Sequence, residues 1–135
     1  MLAPYFDDPA NLFVVSTDFC HYGARFSYEP FSVRRGEEEE EEEDANEPIW
    51  RRIARLDAEG MRLIEEGDPS AFRAYLSRTE NTICGRNPCS LLLATAALAS
   101  TKTRCGFRFY DQSSKVLRRG DSSVSYASAL VCAAG

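Results

Sequence analysis

The chain has 135 residues and a formal net charge of −5 at pH 7. The block 37–44, which consists of seven glutamates and one aspartate, makes the net charge negative. Without these eight residues the number of acidic residues falls from 21 to 13, against 16 basic ones. A hydrophobic content of 44% with 11% aromatic residues excludes a chain that is disordered throughout. No apolar run approaches the ~20 residues of a membrane-spanning helix. We predict a mildly basic folded chain with a disordered acidic insert at about 33–47.

The first predicted elements are a strand and a long helix. The apolar run 12–17 predicts a strand buried on both faces, as in a parallel sheet, and 23–36 is predicted to be a loop. Apolar residues on one face predict a helix over 49–66, with Arg52 on the outer face. Pro48 and Gly67 are placed to start and stop this helix.

Two further helices and two strands are predicted downstream. Asp68-Pro69 opens a helix over 70–77, and Asn87 as N-cap with Pro88 opens an apolar, buried helix from 89 to about 100. Alternation through Phe109 predicts a strand over 104–110, and small residues predict a covered strand over 123–132. This order indicates an α/β fold. Three strands are fewer than the usual four to six or so, which favours half of a domain.

Histidine and cysteine counts limit the chemistry. His21 is the single histidine of the sequence, so one copy of the chain cannot build a three-histidine zinc site or a two-histidine iron site. Five cysteines without a Cys-x-x-Cys pair argue against a zinc ribbon. The N-terminal residues do not have the pattern of a signal peptide, so free thiols in the cytoplasm are expected.

Two local patterns carry candidate chemistry. Asp18 and His21 follow the first predicted strand, where open α/β sheets place their ligand crevices, and a histidine beside a carboxylate can act as a general acid/base. Cys84 precedes a predicted helix and lies two residues from Arg86, and both features favour a thiolate. The alternatives are a histidine satisfied by local hydrogen bonds and a buried structural cysteine. The sequence gives no sign of contact between the two patterns.

Three segments resemble segments of the Memo family, which is named for mediator of ErbB2-driven cell motility. They read DPANLFVVSTDFCHYG at 8–23, NTICGR at 81–86 and DSSVSYA at 121–127. Their order also matches, and the resemblance covers nearly the whole chain outside the acidic insert.

The resemblance implies an α/β sandwich with a central sheet, like that of class III extradiol dioxygenases. It implies that Cys84 is a ligand of iron or copper, together with two histidines from an N-terminal half. His21, oriented by Asp18, would line the open coordination side as an acid/base. Memo proteins are also described as cytosolic adaptors that bind phosphotyrosine segments of receptor tails and influence the cytoskeleton.

The chain departs from the family pattern in two ways. The N-terminal half with its two histidines is missing, and Asn87 stands where the family often has histidine. We therefore expect residues 1–135 to form a partial domain that binds metal poorly alone, within a redox or signalling protein. A phosphopeptide adaptor with Arg86 as anion contact, a dioxygenase-like oxidase and a non-functional fragment remain open. Nucleic acid is not an expected partner, and no membrane span is expected.

Overall fold

The computed structural model describes residues 2–31 and 47–134, so the predicted acidic insert lies, apart from Glu47, outside the described residues. The described chain alternates helices with a small sheet, which confirms the α/β fold class. A 3₁₀ turn follows the first strand. In chain order the elements are α1 (Ala3–Asp7), β1 (His21–Tyr22), the 3₁₀ turn (Ala24–Phe26), α2 (Ile49–Glu66), α3 (Pro69–Thr79), α4 (Arg86–Leu98), β2 (Thr103–Gln112) and β3 (Ser123–Ala133).

The three strands form an antiparallel sheet in the order β1-β3-β2. β3 is central: its first residues pair with β1, His21 lying opposite Val124, and its residues from Ser125 to Ala133 pair with β2. Two further backbone bonds extend the pairing before β1, since Phe19 N–H donates to the Ser125 carbonyl and Ser125 N–H donates to the Cys20 carbonyl. β3 therefore fixes the stretch of chain that carries His21.

Helix α2 has the bounds that its sequence predicts. Pro48 precedes its first residue, and Gly67 ends it in the left-handed conformation that glycine adopts easily, with φ 72°. One prediction for its outer face was wrong. Arg52 is buried, with its guanidinium 4.6 Å from the centre of the Phe31 ring. The long side chain lies flat on an aromatic face, a contact that helical spacing does not reveal.

Helices α3 and α4 begin earlier than predicted. Asp68 caps α3, because its carboxylate accepts hydrogen bonds from Ser70 N–H and Ala71 N–H. Helix α4 starts at Arg86, so the predicted N-cap role of Asn87 was wrong. Its N-cap residue is Gly85, which makes no side-chain cap bond. The apolar C-terminal end of α4 is also less buried than expected, since Leu98 is exposed.

The predicted strand over 12–17 was wrong. The segment has no regular structure, and Leu12 and Val14 are 87% and 81% exposed. Apolar character favours a strand only where a neighbouring strand takes up the backbone hydrogen bonds. Among the described residues no strand pairs with this segment, and the ordered pairing begins at Phe19.

A β-bulge between Phe107 and Phe109 changes which side chains of β2 face inward. Before the bulge, Cys105 and Phe107 pack against the core. After it, Tyr110 points inward and Phe109 is exposed, so the predicted inward position of Phe109 was wrong. The extra residue shifts the two-residue alternation by one position. The far half of β3 is likewise exposed rather than covered.

Two groups of buried side chains hold the helices on the sheet. The larger group joins α2, α3 and α4 to the segment before β1, and it consists of Phe19, Leu63, Ile64, Phe72, Tyr75, Ile83, Cys89 and Leu93. The smaller group lies beneath β1 and contains Cys20, Tyr22, Tyr28, Ile53 and Val116. Residues 19–22 therefore contribute to both groups. Within the described ranges, no helix has the length and hydropathy needed to cross a membrane.

The Asp68 cap provides a first test of this fold. Replacing Asp68 with alanine leaves two amide donors of α3 without their side-chain acceptor, so the free energy of unfolding should fall by about 1 kcal/mol. Asp68→Ser keeps an oxygen at the cap and should retain most of the stability. Urea denaturation of the three proteins compares them. Equal losses in both variants would show that the cap bonds do not stabilise α3.

Candidate functional site

The structure brings together three side chains that the sequence singled out separately. Asp18 and His21 lie on the chain entering β1, and Cys84 lies in the link between α3 and α4. Their ligand atoms all lie within 4.8 Å of one another, although 63 residues separate His21 from Cys84. Asp18 and His21 are half-buried and Cys84 is exposed. The cluster is therefore a surface site with carboxylate, imidazole and thiol groups.

Two backbone carbonyls fix the orientation of the His21 ring. Nδ1 lies 2.9 Å from the Phe19 carbonyl oxygen and 3.0 Å from the Thr82 carbonyl oxygen. A carbonyl oxygen accepts hydrogen bonds, so Nδ1 carries the proton and donates it. Nε2 then has the lone pair that can bind a metal or accept a proton. The orienting role expected of Asp18 belongs in the structure to these two carbonyls.

Thr82 connects the two halves of the site, and the sequence analysis missed it. His21 N–H donates to Thr82 Oγ1 at 2.8 Å, and this hydroxyl donates to the His21 carbonyl at 2.9 Å. The threonine side chain thus satisfies both backbone groups of His21 on the side away from β3. No local pattern marks such a residue, because its partner is 61 positions away.

Cys84 is held by the backbone of Asp18. The Asp18 N–H lies 3.1 Å from the Cys84 sulfur and donates to it, and the Cys84 N–H donates to the Asp18 carbonyl at 3.3 Å. The same contacts keep the thiol beside the Asp18 side chain.

Gly85 is required by the close approach of Thr17. Gly85 N–H donates to Thr17 Oγ1 at 2.9 Å. A Cβ atom on Gly85 would lie 2.2 Å from Thr17 Cβ and 2.4 Å from Thr17 Oγ1, distances at which the backbone must shift. This contact explains why α4 begins after a glycine that has no capping side chain. It also sets the position of the neighbouring Cys84.

The other described cysteines differ from Cys84. Burial, and secondarily the charge of Asp57, raises the pKa of the Cys20 thiol well above its usual range. Burial also raises the pKa of Cys89 to about 11 and that of Cys105 in the same direction. These three side chains stay protonated at neutral pH. Cys132 is exposed at the far end of β3.

Arg86 begins α4, and the first turn of that helix contains no acidic residue. Arg86 is exposed and lies two residues after Cys84 in the chain. A separate groove of about 730 Å³ lies beside the cluster. Its lining includes Thr17, which precedes Asp18, and the apolar residues Phe13, Phe107 and Leu130. Asp18, His21 and Cys84 do not line this groove, so the polar chemistry and the apolar groove occupy adjacent surfaces.

The fold and the cluster define an α/β protein with a Cys–His–Asp arrangement of the kind that can hold a metal ion. The chain belongs to the Memo family, since the family model described as "Memo-like protein" matches residues 1–130. This match confirms the resemblance that the three sequence segments show.

Proteins with similar sequences support this assignment. "Protein memo-1 homolog" of Caenorhabditis elegans is 43% identical over 136 residues, which cover 97% of this chain and 36% of that protein. "Protein MEMO1" of Homo sapiens and of Danio rerio are each 44% identical over 130 residues, covering 94% of this chain and 40% of theirs. The chain thus spans less than half the length of these relatives.

The contact between Gly85 and Thr17 provides a test of the site geometry. Gly85→Ala introduces the clashing methyl group and should lower the free energy of unfolding by about 1–3 kcal/mol. It should also change the alkylation rate of Cys84 by iodoacetamide. Gly106→Ala is the matched control, because a Cβ there would meet the guanidinium of Arg108 at an ordinary 3.8 Å. Equal effects of the two substitutions on Cys84 would contradict the assigned role of Gly85.

Proposed function

We propose that Asp18, His21 and Cys84 belong to the metal centre of a redox protein of the Memo family, with iron or copper as the metal. The observation that carries this proposal is the convergence of a thiol, an imidazole and a carboxylate within 4.8 Å. In this proposal Cys84 is a thiolate ligand, and His21 and Asp18 face the ion from the same side. The metal supplies redox chemistry when it is bound.

The donor set fits such an ion. A metal at about 2.0–2.3 Å from nitrogen and sulfur ligands holds those atoms at most about 4.3 Å apart. The observed upper limit of 4.8 Å is within reach of a small rotation of the exposed Cys84 side chain. Thiolate and imidazole together favour copper and iron over magnesium or calcium.

The residues of the chain have distinct roles in this proposal. Cys84 binds the ion through sulfur, and the Asp18 N–H stabilises the negative charge on that sulfur. His21, fixed through Nδ1, presents Nε2 to accept or return a proton. A thiolate in place of a carboxylate ligand makes the centre softer, which favours handling of oxygen or reduced copper over the cleavage of catechols.

Further ligands are part of the proposal. The sequence holds one histidine, so the two additional histidines that the family resemblance implies belong to residues beyond these 135. The relatives are about two and a half times as long as the matched part, since that part covers 36% to 40% of them. We place the complete centre in the cytoplasm, where a free Cys84 thiol stays reduced, and in a signalling pathway that acts on cell motility.

Replacing the sulfur tests this function. In a polypeptide that carries these residues together with the two additional histidines, Cys84→Ser should abolish the sulfur-to-copper charge-transfer absorption and metal-dependent oxygen consumption. Cys132→Ser, at an exposed cysteine remote from the cluster, should leave both unchanged. Retained absorption and turnover in Cys84→Ser would remove the thiolate from the proposed centre.

A phosphopeptide adaptor is the second candidate function. The observation that favours it is the position of Arg86, whose exposed side chain stands at the amino end of α4 beside the cluster. A guanidinium and a helix amino terminus both attract phosphate oxygens. In this role the cluster would form part of a binding surface for a phosphotyrosine segment, and no turnover would be needed.

A charge deletion separates the adaptor from the redox protein. Arg86→Ala should weaken binding of a phosphotyrosine peptide by about 10–100-fold, as expected for the loss of a charge-assisted hydrogen bond. Arg73→Ala removes an equally exposed arginine on α3 and should have no effect. Fluorescence anisotropy of a labelled peptide measures both variants. Unchanged affinity in Arg86→Ala would exclude Arg86 as the anion contact.

A further inference from the structure

A buried carboxylate lies behind the site. Asp57, in the middle of α2, is 0% exposed. Its Oδ1 atom accepts hydrogen bonds from Cys20 N–H at 3.2 Å and from Asn81 Nδ2 at 3.0 Å, while its Oδ2 atom accepts one from the Tyr110 hydroxyl at 2.9 Å. The two oxygens therefore have different partners, and those of Oδ1 lie on the two segments that form the site.

The partners of Oδ1 are direct neighbours of site residues. Cys20 precedes His21, and Asn81 precedes Thr82, which bonds to both backbone groups of His21 and accepts from its ring. One carboxylate oxygen thus joins the two segments at Cys20 and Asn81, the residues that directly precede His21 and Thr82. The ring of His21 is held by carbonyls of two chain segments that are 61 positions apart. The link through Oδ1 keeps these two segments together.

Holding a carboxylate at this buried position is costly, so its hydrogen bonds have to compensate. Removing a carboxylate from water is costly, and burial raises the pKa of Asp57 against the opposing effect of its hydrogen bonds. An apolar side chain at this position would also leave the donors of Cys20, Asn81 and Tyr110 without their acceptor. A buried acid that bonds to the backbone beside His21 is better explained by the geometry it imposes.

We propose that Asp57 is a positioning residue of the Asp18–His21–Cys84 cluster: its Oδ1 atom fixes the segments of His21 and Thr82 against each other, and so sets the Nδ1–H tautomer that leaves Nε2 free. The proposal rests on the function proposed above, because that function uses the free Nε2 atom of His21. Asp57 itself does not touch a metal or substrate.

Three variants separate positioning from stability. Asp57→Asn keeps an oxygen that can accept from Cys20 and Asn81, and its amide can donate to the Tyr110 hydroxyl. Asp57→Leu has a similar size and removes both acceptors. Tyr110→Phe is the control, because it deletes a bond to Oδ2 and leaves both contacts of Oδ1 in place.

Nitrogen NMR of the histidine ring is the deciding measurement. The 135-residue chain contains a single histidine, so the signal belongs to His21. Without metal at neutral pH, the wild type, Asp57→Asn and Tyr110→Phe should show the Nδ1–H tautomer, whereas Asp57→Leu should show a mixture. If Asp57→Leu has no cooperative unfolding transition, the variant Asn81→Ser is measured in its place. The serine side chain cannot reach Oδ1 of Asp57, so this variant should give the same mixture. An unchanged tautomer in the folded variant would overturn the proposal.

Cobalt binding gives the functional readout in the complete polypeptide. Asp57→Leu should bind Co²⁺ about 10–100-fold more weakly than the wild type, because the segment that carries the ligand Cys84 is no longer fixed through Asn81, and Asp57→Asn should restore the affinity. Equal losses in Asp57→Leu and Tyr110→Phe would assign Asp57 to general stability and overturn the positioning role. If the wild type itself bound no Co²⁺, the metal centre would be refuted, while the tautomer measurement would still decide the role of Asp57.

Discussion

The site depends on one contact, the side-by-side arrangement of residues 17–21 and 81–85. These segments do not form a regular strand pair, and their hydrogen bonds alternate between backbone and side-chain groups. Thr82 satisfies the backbone of His21, and the Cys84 sulfur accepts from Asp18 N–H. Because side chains replace part of the ladder, the two segments need specific residues at specific positions. The same contact brings a ligand atom of His21 and the Cys84 sulfur within 4.8 Å of each other.

The arrangement gives one cysteine a chemistry that the others do not have. Cys20 and Cys89 are buried among apolar groups, where burial raises the pKa of each thiol. Cys84 is exposed, receives an amide hydrogen bond and lies just before a helix. All five cysteines are free, so no disulfide distinguishes them, and Cys84 is set apart by its contacts with Asp18. This contrast supports the ligand role that we propose for Cys84.

The sequence predicted the features that depend on local chemistry. The bounds of α2 followed from Pro48 and Gly67, and the α3 cap followed from Asp68. Features that depend on distant partners were missed. The start of α4 is set by the fit of Gly85 against Thr17. A helical aspartate usually faces water, so nothing local marked Asp57 as a buried residue whose partners lie 24 to 53 positions away.

X-ray absorption of the copper- or iron-loaded polypeptide that contains all of the proposed ligands tests the metal centre most directly. The account predicts one sulfur neighbour of the metal, together with nitrogen or oxygen neighbours, and predicts that Cys84→Ser removes the sulfur and leaves the others. A first shell of nitrogen and oxygen alone in the wild type would contradict it.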